Sequence, residues 1–584
     1  MPETTLNLSQ AEQQVKDSIV SLVQAALGTP FDPSLISVEY PPDAKLGDYS
    51  VACFSLAKSL HRQPAELAAK LTKSLKPAGL IAKASAAGPY LNFSVDLPAF
   101  SQLVVTEIAK RKRAYGTAKI GRGKRVMVEY FSPNTNKPLT VGHLRNICLG
   151  ASLARLLKFL GYKVIESTLY NDRGIAIAKT IVGYQKWGNR QTPKSAGLKP
   201  DHFVGNFYTR FSQEAAAQPE LDKEAQRALQ AWEKGNKTIT GVWQKLMRWV
   251  LEGFRQTLKK LRVGPFDQEY YESEFYRHGK EVVEAGLRQG VFIRNPDGVV
   301  VAPLAQDGLP DKIVLRPDDT SLYVTQDLYL ATLKEKSQPD QSIYVVGNEQ
   351  DLYFKQLFKI LERLGQGDAE RYYHLSYAMV RLPSGKIKSR QGLVKGTGAD
   401  ELVAQLEEMA SQEVMKRNPA LSATEAAKRA EDIAVGALKF YLVAVDPKKT
   451  MVFDPEQSLQ FNGRTGPYLQ YVHARIASLF AKANAKPSLR VDWSVVSHPL
   501  ERELLRLLAR FPSAVQSAAM GHNPSLLANY LFDLAKTFSL FYEALPVLKA
   551  PDKVKRARLL LLRSVQTVLA SGLQLLGITA VEQM

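Results

Sequence analysis

Lys137, His143 and Arg145 crowd one short stretch, Tyr130-Phe-Ser-Pro-Asn-Thr-Asn-Lys-Pro-Leu-Thr-Val-Gly-His-Leu-Arg-Asn146. Two cations and an imidazole around a turn of Ser, Pro and Asn suit the binding of an anion. A second set, Lys386, Lys388 and Arg390, sits in Gly385-Lys-Ile-Lys-Ser-Arg-Gln-Gly392. Read by itself that set is a solvated charged loop; with glycines at both ends it also suits a clamp that closes on a triphosphate. Together the two describe a nucleotide held on one side by a histidine-bearing helix start and on the other by a Lys/Arg loop. Such a pair serves in-line attack at an α-phosphate, where positioning and charge stabilisation supply most of the catalysis.

The elements around the first set fit this chemistry. The β-branched run Arg125-Val-Met-Val-Glu129 predicts a strand, and Leu144–Leu160 has helical periodicity. Strand, turn and helix in that order aim free backbone N–H groups at an anion, and Gly142 lets a ligand approach the backbone closely. Lys163–Thr168 predicts a second strand, and the alternation implies a parallel α/β sheet with its ligand beyond the strand C-termini. A polar, helix-rich insertion with Trp232, Trp243 and Trp249 interrupts the pattern between about residues 185 and 307. The sheet resumes at Ser342–Gly347, followed by a helix over Tyr353–Leu364.

The flanks differ from this centre. Residues 1 to about 115 predict a small α+β unit: a helix over Ala11–Leu27, a strand over Ile36–Tyr40, a helix over Val51–Leu60 and a strand over Tyr90–Val95. Basic Ala109–Lys124 reads as a linker. After Asp400 the chain is almost wholly helical, which predicts an all-α C-terminal module. The expected division is 1–118, 119–455 and 456–584, with an overall class of α/β, a Rossmann-like parallel-sheet centre.

Across 584 residues, 77 Lys and Arg face 57 Asp and Glu, a formal net charge of +20. That surplus favours a polyanionic partner. Cys53 and Cys148 are the whole cysteine complement, which excludes a disulfide framework and a Cys-rich zinc site. No basic-then-apolar leader or long apolar run appears, so a cytoplasmic protein without a membrane partner is expected.

The pairing and order of the two basic motifs resemble the HIGH and KMSKS signatures of class I aminoacyl-tRNA synthetases. Longer strings narrow the resemblance to the arginyl-tRNA synthetase family. They include Ser132–Arg145, Asn171-Asp-Arg-Gly174, Tyr323-Val-Thr-Gln-Asp327, Tyr344-Val-Val-Gly-Asn-Glu-Gln350 and Thr465–Ile476, with Gly47-Asp-Tyr49 near the start and Leu576–Met584 at the end. The resemblance implies ATP-dependent activation of L-arginine through an adenylate, then transfer to tRNA(Arg), with Mg²⁺ accompanying ATP and no dedicated protein metal site. It also implies a monomer.

Residue roles follow from the same likeness. Pro133, Gly142, His143 and Ser389 would contact ATP, while Lys137, Thr140, His143, Lys386, Lys388 and Arg390 would serve catalysis. Asn134 and Gln350 would hold the amino acid's α-groups, and Glu129, Tyr323 and Asp327 its guanidinium. A planar fork of N–H donors does call for carboxylates and a neutral acceptor. Read without the surrounding string, Tyr323 and Asp327 are a strand-end tyrosine and a helix-capping aspartate. Tyr468, Tyr471 and Arg475, with His473 between them, would contact tRNA in a helical anticodon-binding domain.

The chain departs from the family's pattern at several positions. Thr140 stands where the first histidine of HIGH is expected, and Ser389 takes the slot of the KMSKS lysine, for which Lys137 would substitute. Ala176, Asp319 and Tyr353 replace His or Gln, Gly, and His near the expected pocket. These changes keep open an alternative: a weakened or inactive tRNA-binding relative of the same fold.

Overall fold

Arg125–Glu129 forms the central strand (β1) of a five-stranded parallel sheet in a computed structural model that describes residues 8–28, 31–318, 320–381, 398–484 and 488–584. Val126, Met127 and Val128 are all buried, an unbroken apolar run rather than an alternating one, because helices cover both faces of the sheet. The helix that follows is α1 (Val141–Phe159). It packs so close to the end of β1 that a Cβ on Gly150 would collide with the Tyr130 side chain at 2.3 Å.

The next strands are β2 (Lys163–Tyr170) and β3 (Gln268–Tyr271), which extend the sheet on one side of β1. Helix α2 (Tyr323–Glu335) leads to β4 (Gln341–Gly347), and α3 (Asp351–Arg363) leads to β5 (Tyr372–Tyr377), which extend it on the other side. The strand order is therefore β5-β4-β1-β2-β3. Chain direction across the sheet reverses between β1 and β4, where the C-terminal strand ends leave a crevice.

The helix-rich insertion predicted between about residues 185 and 307 also contains β3, the sheet's edge strand. Its run Gln268-Glu-Tyr-Tyr271 is short and half polar, as an edge strand tolerates, so periodicity did not reveal it. The helical part, Pro200–Ala217, Glu220–Glu233 and Lys237–Lys260, packs on Ile175–Trp187 through edge-to-face contacts among Tyr184, Phe203, Phe207 and Trp249.

The N-terminal unit is a four-stranded antiparallel sheet, ordered Val38–Glu39, Tyr49–Ala52, Tyr90–Val95, Ile81–Ala87, under the helix Gln10–Leu27. The helix expected over Val51–Leu60 is wrong in its first turn. Val51 pairs with Leu91 in the sheet, and the helix starts only at Phe54, because strand pairing overrides local propensity. Gly47 has φ +146, and a Cβ there would meet Phe93 O at 2.8 Å, so the turn into that strand requires glycine.

Ala109–Lys124 is no loose linker either. The helix Leu97–Arg111 runs into it, and buried Tyr115 donates its hydroxyl to Leu508 O at 2.9 Å. Asp48 makes a second tie to the C-terminal helices, pairing with Arg502 at 2.6 Å. Those helices, Gly466–Ala483, Pro499–Met520, Ser525–Ala544 and Asp552–Leu575, bury one apolar stripe each in a common core. No helix among the described residues is long and apolar enough to cross a membrane.

Candidate active site

The turn after β1 is built under strain. Phe131 sits at φ +61, a conformation that costs an L-residue about 1–3 kcal/mol. Asn146, one turn into α1, holds it there. Its Oδ1 accepts from the Phe131 amide at 2.6 Å, and its Nδ2 donates to Val345 O of β4 at 2.5 Å. One side chain thus ties together both strands that flank the crevice. Asn134 is carried farther along the turn and bridges to Asn171 beyond β2, with the Thr135 amide donating to Asn171 O at 3.2 Å.

Thr140 is the N-cap of α1, and His143 lies in the first turn. The Thr140 amide donates to His143 Nδ1 at 3.0 Å, and the Thr140 hydroxyl lies 2.9 Å from the same nitrogen. A backbone amide has only a proton to give, so Nδ1 is the unprotonated nitrogen and Nε2 carries the hydrogen. Burial, and then the charge of Lys137, pushes the imidazole's pKa down to about 4. His143 is therefore a neutral donor at the start of a helix. Gly142 has nothing but the Thr140 hydroxyl near its missing Cβ, at 3.7 Å, so the protein itself would admit a larger residue there.

Arg145 does not join this group. Its side chain is fully buried and its guanidinium donates to three backbone carbonyls: Ala378 at 2.5 Å, Lys449 at 3.1 Å and Asp446 at 3.1 Å. The reading of Arg145 as an anion donor is corrected: it faces away along α1 and fastens the helix to the chain beyond β5. Lys386, Lys388, Ser389 and Arg390 lie outside the described residues, as does Asp319. The described chain resumes against the same turn, Gly398 bridging to Thr140 and the Ala399 amide donating to Leu139 O at 2.9 Å.

Glu129, Asn134, Tyr323, Asp327 and Gln350 come from β1, the turn after it, α2 and the turn after β4. All five line one cavity of about 840 Å³ at the crevice. Asp327 lies in the second turn of α2, so it is not a cap, and Tyr323 at the helix start is 76% exposed on the cavity rim. The Tyr353 hydroxyl donates to Asp327 Oδ2. Burial dominates and raises the Asp327 pKa to about 6, against the lowering effect of that hydrogen bond. Ala176 is not among the lining residues, so that departure stands apart from the cavity.

Charged lining residues beyond the expected set include Lys334 and Glu272. Lys334 is buried, with Nζ 2.6 Å from Glu129 Oε2 and 4.1 Å above the Tyr344 ring. Buried Glu272, just past β3, accepts from Asn171 Nδ2 at 3.1 Å. Tyr353, a departure expected near the pocket, does line it and bonds to Asp327. For Lys334 a signal existed: Tyr323, Asp327, Leu330 and Lys334 follow the spacing of one helical face, and all four line the cavity.

Asp201, His202 and Asp400 form the one cluster of metal-ligand type among the described residues. The Lys199 ammonium already lies between its carboxylates, 3.0 Å from Asp201 and 2.9 Å from Asp400. It is an ion-pair network.

In the C-terminal helices, Tyr468 is tied inward, its hydroxyl 2.8 Å from Ser539 Oγ and its ring against Phe532. His473 is buried with Nδ1 2.8 Å from Val581 O, which removes it from the expected base-contacting set. Tyr471 and Arg475 stay half-buried, and the Arg475 guanidinium lies 4.2 Å from the Tyr542 ring centre.

Three family models match the chain. "tRNA synthetases class I (R), catalytic domain" covers residues 104–454, "DALR anticodon binding domain" 469–584 and "Arginyl tRNA synthetase N terminal domain" 9–95. The arginine–tRNA ligase of Treponema denticola is 42% identical over 565 residues, covering 94% of this chain and 95% of its own. That of Flavobacterium psychrophilum is 43% identical over 483 residues, 79% and 80%. Among solved structures, the Thermus thermophilus arginyl-tRNA synthetase superposes with a TM-score of 0.81 at 28% identity, covering 98% of this chain and 100% of that one. The Plasmodium falciparum enzyme matches in fold, with a TM-score of 0.78 at 17% identity over 99% and 100%.

Proposed function

Because this chain belongs to the arginyl-tRNA synthetase family of class I enzymes, we infer that it joins L-arginine to its tRNA with ATP, through an arginyl-adenylate. The arginine carboxylate attacks the ATP α-phosphate and expels pyrophosphate. The terminal adenosine hydroxyl of the tRNA then attacks the adenylate carbonyl and expels AMP. The observation that carries the reading is the single cavity at the β1/β4 crevice, where separate chain segments bring Glu129, Glu272 and Asp327 together. Buried acids beside neutral amides at Asn134 and Gln350 suit a guanidinium at one end and α-groups at the other.

His143 Nε2–H, the first amides of α1 and Lys137 would face the phosphates, stabilising charge that develops at the α-phosphate. Lys386, Lys388, Ser389 and Arg390 would complete that site from the second motif. Pro133, Lys137, Thr140, Gly142 and His143 include no carboxylate, so Mg²⁺ would be held through the phosphates of ATP itself. The N-terminal unit over 1–118 and the helices over 456–584 would flank the catalytic unit as tRNA-contacting parts. Tyr471 and Arg475 offer the exposed edge of the stacked group there. Against the inactive relative, Thr140 keeps a hydroxyl beside His143 Nδ1, in place of the first histidine of HIGH.

The test is charging of tRNA with radiolabelled arginine and ATP, against lysine and glutamate. Arginine alone should be incorporated; equal incorporation of lysine would defeat the reading. In Asp327→Ala the KM for arginine should rise far more than that for ATP, whereas equal rises would take Asp327 out of the amino-acid site.

A further inference from the structure

We propose that Lys334 and Tyr353 are positioning residues that set selectivity for arginine, each by occupying one oxygen of an acid and leaving the other to the guanidinium. The proposal rests on the cavity being the arginine site. Lys334 Nζ lies 2.6 Å from Glu129 Oε2, and that oxygen is fully buried. The Tyr353 hydroxyl donates to Asp327 Oδ2. Among the described residues no donor is bonded to Glu129 Oε1 or Asp327 Oδ1. Both acids belong to residues that line the cavity, as do Lys334 and Tyr353 themselves.

Each carboxylate is thereby held in one orientation with a single oxygen to offer. Free carboxylates would rotate and take several poses, so fixing them lowers the ordering needed when substrate binds. Two fixed acceptors match a planar guanidinium, whose N–H groups diverge at set angles. An ammonium has no such fork, and it would bring a compact positive charge towards Lys334. The Lys334 charge repels either cationic side chain, so selectivity rests on the fork that its hold on Glu129 preserves. Lys334 cannot swing away: its stem is buried and its charge lies 4.1 Å from the Tyr344 ring centre.

Tyr353→Phe and Lys334→Met test this, with tRNA charging followed at varied arginine, lysine and ATP. Tyr353→Phe removes one oxygen, so folding is not at stake, and the melting temperature of each variant is measured alongside. Arginine KM should rise about tenfold in Tyr353→Phe, the loss expected for a hydrogen bond to a charged group, and at least as much in Lys334→Met, which removes one partner of a buried ion pair. ATP KM and kcat should stay within about twofold, and the preference for arginine over lysine should narrow in Lys334→Met. An arginine KM unchanged in Tyr353→Phe, or rising in step with ATP KM, overturns the proposal. If instead the unmutated enzyme does not charge arginine, the assignment of the cavity fails, and the two failures are told apart.

Discussion

A neutral His143 has one proton to offer, on Nε2, because Nδ1 already accepts from the Thr140 amide. His143→Ala should lower turnover by about 10²–10³, the loss of one preorganised donor to a transition state. Steady-state charging with saturating arginine and tRNA measures it, and an unaltered kcat would remove His143 from the mechanism. The low pKa of about 4 means that the donor's form does not change near neutrality. Asp327 behaves differently. Its neighbours are Tyr353, Lys334, Glu129 and Glu272, and burial leaves its pKa at about 6. Guanidinium binds the carboxylate form, so bound arginine pulls the pKa lower. Affinity is then complete above pH 7 and falls as pH drops through 6, by up to about tenfold per unit. Arginine KM measured from pH 5 to 8 should show that bend, and Asp327→Asn should abolish it.

Helix α1 is the element on which the site depends, and its residues divide the work by face. Thr140 and His143 bond to each other at its start, Asn146 ties β1 to β4, and Arg145 reaches the carbonyls of Ala378, Asp446 and Lys449. Arg145→Lys keeps the charge but not the fork, leaving at least one buried carbonyl unpaired. Stability should fall by about 2–4 kcal/mol, seen as a lower melting temperature, while ATP KM moves little. A large rise in ATP KM with unchanged melting would instead return Arg145 to the phosphate site. The adjacency of His143 and Arg145 in the chain suggested a shared role; a helix turns successive residues about 100° apart, and they face different partners.

Across the whole molecule, the N-terminal unit and the C-terminal helices meet over a buried acid. Glu12 is fully buried, Tyr40 donates to it, and Arg510 of the C-terminal helices stacks 3.5 Å from the Tyr40 ring centre. Burial raises the Glu12 pKa to about 7 from an ordinary 4.5. Between those values the unfolded chain has released a proton that the folded one keeps. Stability from this group is therefore present at low pH and lost as pH rises, by about 3 kcal/mol in total. Glu12→Gln should raise the melting temperature at pH 8 more than at pH 5, and a pH-independent difference would contradict it. The parallel sheet, the α1 helix start and the all-helical C-terminus were legible in the chain because each has a local signature: β-branched runs, a 3.6-residue period, a turn rich in Asn and Pro. The set Glu129, Asn134, Tyr323, Asp327 and Gln350 came from the likeness to the arginyl-tRNA synthetase family, and the fold brings all five to one cavity. What the chain could not disclose was pairing. That Lys334 neutralises Glu129, that Tyr353 holds Asp327, that Arg145 and His473 turn inward, and that Gln268–Tyr271 is the sheet's edge depend on contacts between segments far apart in sequence. Periodicity reports which face of an element is buried, but only the folded chain decides what that face meets.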